Sequence, residues 1–145
     1  MNRATRHLWL SLLFGLLVAA GIYLIDKVEG GKITISMHTD MAVYLAFLGG
    51  VLAIPFYYAT LFPVTTLLDR MFRSSALLKL AVPTVLMMGV GYWLTGSYGE
   101  YNINEYGIRV ETGLVVFGAI GLVIQVLERD LTRRYPVQGM RSERA

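Results

Sequence analysis

The chain has 145 residues, of which 55% are hydrophobic and only 16% charged, and its formal net charge is +3. A soluble domain carries roughly a quarter charged residues. With a mean hydropathy of +0.55, the composition argues against a disordered chain, a nucleic-acid-binding module and an ordinary soluble enzyme, and points to a membrane protein. Cysteine is absent, which removes disulfide frameworks, thiol catalysis, iron–sulfur clusters and thiolate zinc sites.

Four apolar runs follow in chain order. Leu8–Ile25 holds 18 residues without a charge, Met41–Phe62 holds 22 without a charge, and Ala76–Leu94 holds 19 with the single charge Lys79. The fourth, Leu114–Leu127, has 14 residues and must borrow from its flanks, because a bilayer core needs roughly 20 residues of helix. The runs do not alternate, and lipid tolerates only helices or closed barrels. The expected architecture is therefore an all-α integral membrane domain over 1–145, with spans at 8–25, 41–62, 76–95 and 112–131. A basic start (Arg3, Arg6) and the small residues Val18-Ala19-Ala20 also fit a cleaved signal peptide. The apolar run continues to Ile25, however, long enough to span.

Basic residues set the expected orientation. Ten lie before the first run, from the end of the second to the opening turn of the third, or after the fourth: Arg3, Arg6, Arg70, Arg73, Lys79, Arg129, Arg133, Arg134, Arg141 and Arg144. Only Lys27, Lys32 and Arg109 occupy the other two connections. Both termini are expected on the cytoplasmic side of a bacterial inner membrane.

The connections carry patterns of their own. Ile33, Ile35 and Met37 alternate with polar residues, and two β-like stretches in 100–111 flank a turn around Asn104–Gly107, so a small extracytoplasmic β patch is expected from the first and third loops. Between the second and third runs, Val64, Leu67, Leu68, Met71 and Phe72 recur at helical spacing. This predicts an amphipathic helix over 64–73, with Arg70 and Arg73 facing anionic headgroups. It either lies at the interface or continues the second span. An offset of 70 residues aligns Gly21-Ile22-Tyr23-Leu24 with Gly91-Tyr92-Trp93-Leu94, a weak sign of duplication.

Candidate functional residues are few. Gly15 with Ala19, and Ala42, Ala46, Gly49, Gly50 and Ala53, form small-residue faces that let helices approach closely. Pro55 and Pro83 interrupt the second and third spans and permit kinks, structural or gating. Lys79 and Gln125 are the polar residues within the spans: the lysine can snorkel to the interface, and the amide can bond a neighbouring helix. Asp26, Glu29, His38, Asp40, Glu100, Glu105 and Glu111 make an acidic outer face, read as solvated rather than metal-binding because no ligand spacing is present. No phosphate loop, nucleophile elbow or dinucleotide fingerprint occurs. No cofactor, metal site or nucleic-acid partner is expected. The expected function is that of a small inner-membrane protein without evident catalytic machinery. It would be an accessory or immunity-type protein acting through helix and loop contacts with membrane lipids and a membrane-protein partner or a second copy. A homo-oligomeric channel or small-solute transporter and a lipid-modifying membrane enzyme are the alternatives.

Overall fold

The computed structural model describes residues 3–32, 38–71, 75–97 and 100–134, and of residues 3, 4, 38–41 and 100–102 the backbone alone. Among these residues every regular element is helical. The order is α1 (Arg3–Val28), a 3-10 turn (Gly30–Lys32), α2 (His38–Phe56), a π-helical turn (Tyr57–Leu61), α3 (Phe62–Met71), α4 (Ala76–Gly96), α5 (Glu100–Tyr106) and α6 (Val110–Arg134). Four helices are long and apolar enough to cross a membrane: α1, α2 running on into α3, α4 and α6. The protein thus has the make-up of a multi-pass membrane helix bundle. The 21 residues of α4 extend over ~32 Å, close to the hydrocarbon thickness of roughly 30 Å.

α2 packs on α1, α6 packs on α4, and the two hairpins meet along α1 and α6. Apolar side chains exchange lipid for protein at little gain, so close fit and interhelical bonds must hold such helices together. Small residues provide the fit. Between α1 and α2, a Cβ on Gly50 would stand 2.9 Å from Ala19 Cβ and 2.9 Å from the Gly15 carbonyl oxygen. Ala42, Ala46 and Ala53 are buried on the same side of α2. Between α4 and α6 the approach is closer still. A Cβ on Gly91 would overlap the Gly113 carbonyl oxygen, and one on Gly113 would overlap Thr95 Oγ1 and the Gly91 carbonyl. The two glycines matched by the 70-residue offset serve different contacts: Gly91 faces α6 of its own hairpin, whereas Gly21 faces Ile120 and Val116 of the other.

The long second helix runs without a break from His38 to Met71, so the amphipathic stretch continues the second span. Pro55 does not end it. The irregularity follows the proline, as a π turn in which Phe62 N–H donates to the Tyr57 carbonyl. The Phe56 carbonyl accepts from Thr60 Oγ1 at 2.6 Å, so the polar groups loosened there are satisfied locally. Residues four apart overshoot one α-helical turn, and a wider turn corrects that drift. Ala53, Tyr57 and Leu61 accordingly stay together on the buried side. Pro83 is buried inside α4, which continues through it from Ala76 to Gly96.

The β patch needs correction. Ile33–Met37, its first half, lies outside the described residues. Its second half begins as helix α5 rather than strand. Asn104–Gly107 is a helix end, not a hairpin turn: Gly107 adopts φ +62°, and Ile108 N–H donates to the Ile103 carbonyl at 3.1 Å. This six-to-one bond across a left-handed glycine is a Schellman cap, usually completed by an apolar residue just beyond the glycine. Ile108 is that residue, and it is 4% exposed. The apparent alternation in 100–106 is overridden by this cap.

Candidate functional site

One stripe of α1 organises both ends of the bundle. Arg6, Leu10, Phe14, Val18, Ile25 and Glu29 recur at helical spacing, and all are buried. The stripe is apolar in the middle and charged at its two limits. It carries an arginine into the bundle at the end where the termini lie, and a carboxylate at the opposite end.

At the far end Glu29 is 1% exposed and accepts three bonds. Lys32 Nζ donates at 2.5 Å, Arg109 N–H at 2.8 Å and Thr112 Oγ1 at 2.5 Å. Lys32 also donates to the Gly107 carbonyl at 3.0 Å. Every partner is a donor, which is what a buried carboxylate needs to remain ionised. This knot ties the end of α1 to the cap of α5 and the first turn of α6. Glu29 therefore does not belong to a solvated acidic face. Asp26 is half-buried and its carboxylate lies against Gly30, whereas Glu105 and Glu111 are exposed. The side chains of His38, Asp40 and Glu100 lie outside the described residues. Among the described residues no group of three or more His, Asp or Glu could hold a metal ion.

At the termini end a polar cavity of about 360 Å³ opens between the helices. α1 contributes Arg6, α3 Thr65, Leu68 and Asp69, and α4 Ala76 and Lys79. Gln125, Glu128, Arg129, Thr132 and Arg133 come from α6. Lys79 does not simply snorkel: its ammonium pairs with Asp69 at 2.7 Å. Gln125 is 5% exposed and faces the same cavity. Arg129 donates to the Ala76 carbonyl. Arg6 is 8% exposed, and its Nε is buried without an acceptor. Beside it, His7 Nδ1 and the Tyr57 hydroxyl are 3.1 Å apart, and the His7 ring meets Phe62 edge-on at 4.7 Å. Arg70 is exposed on α3, and Arg73 lies outside the described residues.

The third feature is an apolar cleft of about 280 Å³ along the bundle's side. Among the described residues α2 and α4 make no extensive contact with each other. The gap is floored by Phe14 and Val18 of α1 and Phe117 of α6, and walled by Leu52 and Phe56 of α2 and Val90 and Trp93 of α4. Gly49 lies at its edge against Ile22.

The small-residue positions Gly15, Ala19 and Gly50 are thus brought together, while Pro55 and Pro83 sit on different helices and share no site. Arg6 and the glycines of α6 were not singled out by sequence reasoning as site or packing residues. A signal existed for Arg6 and Glu29, which fall in register with Leu10, Phe14, Val18 and Ile25. A signal existed also for Gly113 and Gly121, eight residues apart on one helix face. The chain matches no family model, no curated protein and no solved structure.

Proposed function

We propose that this chain is a bacterial inner-membrane protein with both termini in the cytoplasm, without catalytic machinery of its own, acting as an accessory or immunity-type protein through lateral contact with a membrane partner. The observation that carries this reading is the apolar cleft between α2 and α4, open along the side of the bundle and lined by Phe14, Leu52, Val90 and Trp93. A helix of a partner would complete the row there. The orientation is supported by the basic residues gathered at the termini end, among them Arg6, Arg70, Arg129, Arg133 and Arg134. A homo-oligomeric channel built on the small-residue faces is less well supported, because Gly15, Gly50, Ala42 and Ala46 are buried within the chain.

Photo-crosslinking residues at Leu52 and Trp93 in native membranes test the proposal. The expected result is one stoichiometric adduct with a second membrane protein, absent when the crosslinker replaces Leu77 at the exposed start of α4. An adduct with lipid alone would refute it, and an adduct with a second copy would transfer the reading to a homo-oligomer. The chain contains no cysteine, so single cysteines at Arg70 and Arg109, labelled from either side of the membrane, test the orientation.

A further inference from the structure

We propose that the polar cavity at the termini end binds the phosphate of an anionic phospholipid headgroup. Four basic side chains, Arg6, Lys79, Arg129 and Arg133, face two acidic ones, Asp69 and Glu128. The surplus is positive, and part of it is uncommitted. Lys79 is paired with Asp69 and Arg129 holds the Ala76 carbonyl, but the Arg6 Nε–H is buried and lacks an acceptor. Burying a guanidinium with an unpartnered donor costs free energy, and an anion in the cavity that Arg6 lines would offset its buried charge. A planar guanidinium matches phosphate oxygens better than any other side chain does.

The position selects the source of that phosphate. Arg6 stands in the first turns of α1, Ala76 and Lys79 in the first turn of α4, and Glu128 to Arg133 in the last turns of α6. These are the ends of apolar spans, where headgroups lie, and basic pockets between membrane helices at that depth take lipid phosphates. The cavity also touches the start of α4, whose dipole favours an anion. Leu68 gives the wall an apolar part, which suits the glycerol backbone of a lipid better than a free, fully hydrated ion.

Competitive lipid retention by the full-length protein is the test. The protein is exchanged into nanodiscs of phosphatidylcholine with a minority of phosphatidylglycerol, and the lipids it keeps are counted by native mass spectrometry. Phosphatidylglycerol should be retained about tenfold over its share, and Arg6→Gln should lower that preference about fivefold, the weight of one basic residue near a membrane surface. Arg133→Gln, on the exposed rim, should lower it in the same direction. Equal retention of both lipids overturns the proposal, as does an unchanged preference in Arg6→Gln that keeps its helical signal. If Arg6→Gln does not fold, an unchanged preference in Arg133→Gln overturns it. A final arm adds excess inorganic phosphate. Failure to displace phosphatidylglycerol supports a lipid site, and full displacement overturns the lipid assignment in favour of a free-anion site.

Discussion

Gly91→Ala adds one methyl group at the closest approach of two helices. The new Cβ would overlap the Gly113 carbonyl oxygen and stand 2.7 Å from both the Gly113 carbonyl carbon and Phe117 Cβ. Carbon atoms in good contact lie about 3.5–4.0 Å apart, so α4 and α6 must separate by ~1 Å at this point, and the neighbouring contacts weaken with them. The obstacle is backbone, which no rotamer change relieves. Overpacking of this kind costs ~1–3 kcal/mol, and a rigid obstacle places Gly91→Ala near the upper value. Against this runs the helix preference of alanine over glycine, worth up to about 1 kcal/mol. The net expectation is a destabilisation of ~2 kcal/mol. Gly89→Ala is the matched control. It lies two residues away on the same helix, and its Cβ would meet nothing within 4 Å, so it should be neutral or stabilising by up to about 1 kcal/mol. The two variants should differ by ~3 kcal/mol, more than a hundredfold in the unfolding equilibrium. Titration of mixed micelles with SDS, followed by circular dichroism, measures both midpoints. If Gly91→Ala and Gly89→Ala unfold together, the tight crossing is not what holds α4 to α6, and the reasoning fails.

Two further outcomes follow from the polar contacts. Glu29→Gln preserves shape but presents a donor to a site made of donors, so it should cost ~2 kcal/mol. The loss should be local, with faster hydrogen exchange at the Arg109 amide that now donates to the Glu29 carboxylate; unchanged protection there would show that the knot is not formed through Glu29. Tyr57→Phe keeps a side chain that is 1% exposed and removes only the hydroxyl beside His7. It should cost about 1 kcal/mol, whereas Tyr57→Ala should cost ~3–5 kcal/mol through the cavity it leaves. Equal losses in the two variants, read in the same SDS titration, would contradict a packing role for the ring.

Legibility along the chain followed the range of the interactions involved. The four long helices were readable because length and unbroken apolarity act residue by residue along one segment. The helical conformation of Val64, Leu67 and Leu68 was readable for the same reason, although its continuity with the second span depended on how the chain passes Pro55. The stretch 100–111 was misread because the apolar and polar residues in Tyr101, Ile103 and Glu105 alternate, while a single glycine decides the outcome. Gly107 in the left-handed region, followed by the buried Ile108, closes a helix. The acidic face was misread at Glu29 because a carboxylate beside a span looks solvated until its donors are known, and Arg109 and Thr112 lie about 80 residues away in the chain.

Composition and periodicity alone were enough for the number of the long helices, since a membrane-crossing helix must satisfy its own backbone bonds and clothe itself in apolar side chains whatever its neighbours are. They could not say which glycines face which. Gly91 with Gly113, and Gly15 with Gly50, are set by how four cylinders find mutual approach, and the same residues at the same spacing serve lipid-facing positions such as Gly89. Nor could they assemble the cavity. Arg6, Lys79 and Arg133 lie on three helices far apart in sequence, and only the meeting of the two hairpins turns separate basic residues into one cavity with a buried, uncommitted guanidinium donor.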